Sequence, residues 1–342
     1  MRKLKAILAS VSLLALFGAA HAPARADAIS DFYGKARITF NVGTTVGGGY
    51  DFYARILAEY LPKHIPGGPT IVIENMGGAG GVKSANYVYN IAARDGSVIS
   101  MPVSSIVLAE ALRPSQVKFQ SRKFGWVGTV ATMTDVLAVY RTTGIATIDD
   151  AKKKAVVIGA TGKLGTLYLQ VALVNALLDT RFKIVPGYKS GNEANLAMDS
   201  GEIQGRTNQW VSWKTQRPQW IRDDKLSYLV QFGPKVPELK GVPTMDELVA
   251  KPREKAMVNL MQIIQLVGRA VMLPPDVPQA RLAALRAGFD ATMTDKAFIA
   301  RMAEKDLELS PRPGATLQAD IDNVMSSAED TAKALLAELR LN

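Results

Sequence analysis

Residues 43–60 read GTTVGGGYDFYARILAEY: three consecutive glycines, an aromatic residue, an aspartate, then an amphipathic helix. Phe52, Ile56, Leu57 and Leu61 recur at helical spacing and Pro62 stops the pattern, which predicts a helix over residues 51–61. Before the glycines, residues 38–42 alternate and carry enough β-branched side chains for a strand. The unit is strand, glycine loop, helix. A helix N-terminus presents unpaired N–H groups and a partial positive charge, and glycine lets an anion approach that backbone. A phosphate, a carboxylate and a simple tight turn all satisfy the local pattern.

The same plan recurs along the chain. TIVIE (70–74) reads as a second strand, NMGGAGG as a second loop and residues 82–93 as a second helix; Asp95-Gly96 then turns into the strand SVISMPV. AVVIGATGKLGT is again strand plus glycine loop, ahead of an apolar helix over residues 167–178. FKIVPGYKSGNEANLAMDSGEIQG supplies a strand, the loop GYKSGN, a short helix through Met198 and a glycine turn at Gly201. Thr244 and Glu247 have capping-box spacing at the head of a further helix. Helices are predicted over residues 280–292, 296–305 and 317–341. Strands alternating with helices indicate an α/β fold with largely parallel sheets. Ligands of such sheets sit beyond the carboxyl ends of the strands, where these loops lie. Four glycine loops in two groups suit two lobes facing one cleft.

The N-terminus bears on compartment. Arg2, Lys3 and Lys5 precede an almost wholly apolar run from residue 7 to 20, and APARAD follows. That is the layout of a secretory signal peptide, with Ala24 and Ala26 fitting a cut before Asp27 and Ala20 and Ala22 offering an earlier one. The apolar run is shorter than the roughly 20 residues a membrane-spanning helix needs. The expected product is exported, and without cysteine it has neither disulfides nor a site for a lipid anchor. Removing the leader takes four bases with it, so the net charge of +10 falls to about +6. The remaining bases are scattered, with Lys152–Lys154 the longest run, a pattern that suits small anions better than nucleic acid.

Several chemistries are excluded by residue type. Zero cysteines rule out thiol nucleophiles and thiolate metal sites. His64, in the Pro/Gly loop PKHIPGGP, is the only histidine beyond the leader, no G-x-S-x-G elbow exists, and an H-E-x-x-H site is impossible. GATGKLGT fails the Walker pattern because Leu164 follows Gly162-Lys163, and neither GGGYDF nor GGAGGVK fits G-x-G-x-x-G. Asp51 reads either as a ligand contact or as a cap on the first helical turn. Tyr50, Tyr188, Trp126 and Trp210 read as cleft or core residues. Trp210, Trp213 and Trp220 with Arg206, Arg217 and Arg222 read as a rim for an acidic or aromatic ligand, or as packing.

GGGYDFYARILAEYL, IENMGGAGGVKSANYV and ARDGSVI together resemble the N-terminal half of Bug-type, TctC-like periplasmic solute receptors of tripartite tricarboxylate transporters. YKSGNEANLAMDSGEIQG, GVPTMDEL and LPPDVPQARLAALRAGF are similar to later segments of the same family, so the likeness covers nearly all of the chain past the leader. The resemblance implies a type II periplasmic-binding-protein fold: residues 1–26 a signal peptide, 27–130 plus 235–342 one lobe, 131–234 the other, with hinges near 127–131 and 229–234. It implies a small carboxylate held by loops from both lobes, partly through water. Carried over by position, the contacts fall on Thr44, Thr45, Gly47, Gly48, Gly49, Tyr50 and Asp51, on Gly78, Ala79, Gly80 and Gly81, and on Ser104 and Thr132. From the second lobe they fall on Thr161, Gly162, Thr166, Tyr188, Lys189, Asn192 and Asn208.

This chain departs from the family pattern at several points. Tyr50 stands where threonine is usual, Thr45 at a proline-like position, GKLGTLYLQ lacks a histidine–leucine pair, and Asn208 replaces a frequent aspartate. Loss of that acid beside Arg206 implies a ligand without an ammonium group, such as a di- or tricarboxylate or an aromatic acid. The expectation is a periplasmic, monomeric, non-catalytic receptor, without cofactor or metal, whose partners are the subunits of a cognate membrane transporter. A sensor that presents the ligand to a receptor kinase, and an exported enzyme, are the alternatives.

Overall fold

The structure, a computed structural model, describes residues 23–47, 49–160, 166–188 and 191–340, without the side chains of residues 23–27 and Asn192. The expected leader thus lies almost wholly outside the described residues. The first helix, Pro23–Lys35, leads into β1 (Arg37–Val42), the strand expected before the glycine loop. The chain continues through β2 (Thr70–Asn75), β3 (Val98–Met101) and β4 (Gly125–Thr129). It then forms β5 (Asp135–Tyr140), β6 (Val157–Ala160), β7 (Lys183–Pro186), β8 (Gly205–Gln209) and β9 (Leu226–Phe232), and returns to β10 (Ala270–Leu273) and β11 (Arg312–Pro313).

These strands build two separate sheets, ordered β11-β4-β10-β3-β1-β2 and β7-β6-β8-β5-β9. Each sheet is parallel on one side only. β2, β1 and β3 run parallel, with Arg37 opposite Thr70 and Val42 opposite Asn75, whereas β10 and β11 pair antiparallel with their neighbours. In the second sheet β6 is parallel to β7 and β8, and β5 is antiparallel to β8 and β9. The expectation of largely parallel sheets is corrected to mixed ones. Strand–helix–strand units give the parallel halves, and the first strand entered on each arrival from the other sheet, β5 and β10, runs antiparallel to its neighbours.

Helix limits move modestly from the periodicity. The helix after the glycine loop is Gly49–Tyr60, continued by a 3₁₀ turn at Leu61–His64, because Pro62 removes an N–H yet suits a tight first turn. The expected helix at 82–93 closes at Val82–Asn90, and the long C-terminal one divides at Ser327 into Gly314–Ser326 and Ala328–Glu338. The Thr244 box is formed, the Glu247 N–H reaching Oγ1 at 3.3 Å and the Thr244 N–H reaching the carboxylate at 3.0 Å.

Two crossings join the sheets. Residues 130–134 lead from β4 to β5, and the return runs through the helix Pro252–Val267, which sequence periodicity left unread. That helix buries Met257, Val258, Leu260, Met261, Ile263, Ile264 and Val267 within one apolar cluster. The cluster also holds Trp126 and Met272 of the first sheet and Leu137, Val139 and Ile158 of the second. At about 1.5–3 kcal/mol per buried large apolar side chain, this shared core ties the lobes at their base and leaves the opposite side open. No helix among the described residues is long and apolar enough to cross a membrane.

Candidate functional site

A cleft of about 460 Å³ opens between the two sheets. Tyr50, Val103, Ser104 and Ser105 line it from the first lobe; Met133 and Ile264 come from the crossing segments. The second lobe supplies Asp135 at the head of β5, Thr166 and Leu167 at the start of the Thr166–Leu178 helix, and Gly191 at the start of Gly191–Asp199. Arg206, Asn208 and Gln209 of β8, with Ser212 and Gln216 just beyond, complete that wall.

Arg206 sets the electrostatics. Its side chain is buried, and its hydrogen bonds among the described residues go to neutral oxygens. Nε donates to the Thr207 carbonyl at 3.2 Å, Nη1 to the Gly191 carbonyl and to Asn195 Oδ1 at 2.9 Å, and Nη2 to Asn208 Oδ1 at 3.2 Å. Burial lowers its pKa to about 10, and Asp135, beyond ion-pair distance, opposes that shift, so the group remains a cation at neutral pH. Buried charges are ordinarily paired, because desolvating an ion costs several kcal/mol. Accepting from Arg206 also fixes the Asn208 amide. Its Nδ2 is buried at the cleft without a partner among the described residues, a state that costs about 1–3 kcal/mol unless an acceptor meets it. A cation and an amide donor thus converge on one wall, which is the chemistry that holds a carboxylate oxygen.

The first-lobe wall is built differently. The Tyr50 phenol accepts the Ser104 N–H at 3.0 Å and donates to Ser104 Oγ at 3.1 Å. The Arg269 guanidinium lies 4.1 Å from the centre of the Tyr50 ring and 5.5 Å from that of Tyr53, a cation–π stack worth about 0.5–2 kcal/mol. Behind this wall, the buried Asp51 carboxylate accepts from the Gly47 N–H at 2.9 Å, from Arg55 Nε at 2.9 Å and from Asn75 Nδ2 at 2.9 Å. The Arg55 bond, foremost, pulls its pKa down to about 2 despite the burial. Asp135 is the acid on the cleft floor, its Oδ2 accepting from Gln170 Nε2 at 2.8 Å and Gln265 Nε2 at 2.6 Å. Burial pushes its pKa up. Gln170 belongs to the second lobe and Gln265 to the return helix, so Asp135 bridges the hinge.

Of the residues expected at the ligand, the structure brings Tyr50, Ser104, Thr166 and Asn208 together in the cleft lining. Thr44, Thr45 and Gly47 lie in the loop, and Gly49 and Asp51 in the first helical turn, around Tyr50; there the Thr44 carbonyl accepts from Asn75 and Thr45 packs on Gly77. Gly78, Ala79, Gly80 and Gly81 make a turn of positive φ; Gly81 sits so close to Val103 that a Cβ would lie 2.6 Å from that side chain. Thr132 is tied to Ser310 by its N–H and hydroxyl, both at 2.9 Å, and Tyr188 donates to Glu202 at 2.6 Å. Gly48, Thr161, Gly162 and Lys189 lie outside the described residues, as does the side chain of Asn192. Trp210, Trp213 and Trp220 are buried in the second-lobe core, as is Trp126 in the shared core, which decides them as packing. His64 bonds Asp295 at 2.8 Å and is not among the cleft-lining residues. Asp135, Met133, Gln209, Ser212, Gln216 and Ile264 were missed. Their one available signal was position: all but Gln216, at the far end of the Trp210–Gln216 helix, lie in or beside a crossing segment or just past the carboxyl end of a strand.

Two lobes, each an α/β sheet with helices, joined at the base and open to a cleft between them, define the periplasmic-binding-protein fold. No family model matches the chain. A TctC solute-binding protein from Polaromonas has the same fold, with a TM-score of 0.70 at 18% identity over 89% of this chain and 99% of that one. MatC from Rhodopseudomonas palustris, solved with bound malate, aligns with a TM-score of 0.59 at 21% identity over 87% of this chain and 99% of its own. In sequence, a UPF0065 protein of Agrobacterium vitis is 28% identical over 224 residues, 64% of this chain and 62% of that relative's length. The neighbours of the same fold thus include a protein named TctC, the kind of protein that the sequence segments resemble.

Proposed function

We propose that this chain is an extracytoplasmic receptor that binds a small carboxylate without an ammonium group and delivers it to a tripartite tricarboxylate-type membrane transporter. One observation carries the reading: the buried Arg206 guanidinium is hydrogen-bonded only to neutral oxygens among the described residues, beside the unpartnered Asn208 amide. A carboxylate at that point supplies an anionic partner to the one and an acceptor to the other. An ammonium at the same point would face a guanidinium. The malate-bound neighbour of the same fold supports a carboxylate ligand.

In this reading the lobes are residues 27–130 with 235–342 and residues 131–234, and the protein works in the periplasm without catalysis. Ligand contacts from both walls favour a closed arrangement over an open one, and the closed form is what the transporter recognises. Thermal unfolding in the presence of carboxylic acids and their neutral amides tests the ligand class, since binding to the native state raises apparent stability. Acids are expected to raise the transition and amides to leave it unmoved. Stabilisation by phenylalanine above 3-phenylpropionate, or by glutamate above glutarate, would contradict the reading. Uptake of the stabilising acid by cells lacking the gene tests the delivery step.

A further inference from the structure

The carboxylate reading leaves open how many acid groups the ligand carries, and the first-lobe wall bears on that number. We propose that the ligand is a monocarboxylate with an apolar body, and that Tyr50 sets this specificity by sealing the first-lobe wall against a second acid group. The inference rests on the carboxylate reading above.

Charge is the first argument. Among the described residues of the lining, Arg206 is the single cation and Asp135 the single acid. One carboxylate meets Arg206 and Asn208. A second would lose its water without gaining a cation among the described residues, in a cleft it shares with the Asp135 carboxyl. Tyr50 is the second argument. Its phenol occupies the Ser104 N–H at 3.0 Å, the backbone donor that this wall would otherwise turn to an anion, and spends its own hydrogen on Ser104 Oγ at 3.1 Å. Its ring carries the Arg269 guanidinium at 4.1 Å, and Arg269 forms no part of the cleft lining, so this cation is engaged by the ring rather than presented to the cleft. Arg269 Nη1 points to Met133 Sδ at 2.9 Å, and its Nε is buried without a partner among the described residues. On this wall the Tyr50 ring and Val103 present carbon, continued by Met133, Leu167 and Ile264, while the neutral polar residues Ser105, Thr166, Gln209, Ser212 and Gln216 complete the lining. Such a wall gains from contact with hydrocarbon and loses from contact with a hydrated carboxylate.

Calorimetric titration of the protein with matched pairs, hexanoate against adipate and phenylacetate against 1,4-phenylenediacetate, tests the proposal. The native protein is expected to bind the monoacid of a pair at least ten-fold more tightly than the diacid. Tyr50→Ala removes ring and phenol together, uncovering Arg269 and freeing the Ser104 N–H; it is expected to narrow that preference at least ten-fold by gaining diacid affinity. Tyr50→Phe keeps the ring on Arg269 and frees only the Ser104 N–H, so it is expected to narrow the monoacid preference less than the alanine variant does, and it serves as the test where the alanine variant does not fold. A diacid bound as tightly as its monoacid by the native protein overturns the inference. So does a folded Tyr50→Ala protein with unchanged preference. Failure of every acid, mono or di, overturns the carboxylate reading itself, whereas a diacid bound as tightly as its monoacid overturns only this inference.

Discussion

The Asp51 carboxylate accepts three hydrogen bonds that pin the glycine loop, the first helix turn and the end of β2 together, and its pKa reports their strength. The folded value, about 2, lies below the ordinary 3.8, so the stabilisation is complete above 3.8 and is lost as pH falls toward 2. With Arg55 half exposed, this contribution is about 1–2 kcal/mol. Asp51→Asn is expected to lower the thermal transition at pH 7 and to flatten its fall between pH 4 and pH 2. An unchanged acid limb would contradict the assignment. Sequence left Asp51 open between ligand and scaffold because a carboxylate at a helix start suits both. Only the positions of Arg55 and Asn75, one on the same helix and one on the next strand, separate them. Tyr50 was legible as unusual, but not its partner: Arg269 comes from the far end of the chain, and no local pattern announces it.

At the scale of elements, strand–loop–helix units were readable because their apolar periods are local. The helix Pro252–Val267 was not, since it is apolar on faces toward both lobes and shows no clean stripe. Mixed sheets also escaped the reading, because strand direction after a crossing depends on where the chain re-enters the sheet. Gly268 ends that helix and makes the hinge possible. Its φ is +48°, and a Cβ there would lie 2.1 Å from the Ala131 carbonyl oxygen. The close approach lets the Arg269 N–H donate to Ala131 O at 2.9 Å and the Val130 N–H to Arg269 O at 3.0 Å. Gly268→Ala combines a backbone strain of about 1–3 kcal/mol with overpacking of about 1–3 kcal/mol. It is expected to lower stability by at least about 2 kcal/mol in urea denaturation. A neutral substitution would show that the crossing is not held at this point.

For the whole molecule, two sheets linked at the base through one shared core predict bending about residues 130–134 and the Pro252–Val267 helix, with Asp135 linking the two through Gln170 and Gln265. Small-angle scattering is expected to show a smaller radius of gyration when a stabilising acid is added, and no change with its amide. An acid that binds without compaction would remove the closure step. The two-lobed organisation was legible from the paired glycine loops, whereas the lining of the cleft was not, because it is assembled from residues far apart in sequence that only the crossings bring together. The central claim concerns one point in that cleft. It is tested most directly by a crystal structure of the protein with the most stabilising acid of the panel. The account predicts a carboxylate oxygen within hydrogen-bond distance of Asn208 Nδ2, on the Arg206 wall. A carboxylate seated on the glycine loops away from that wall, or held by Ser104 in place of Tyr50, would contradict it.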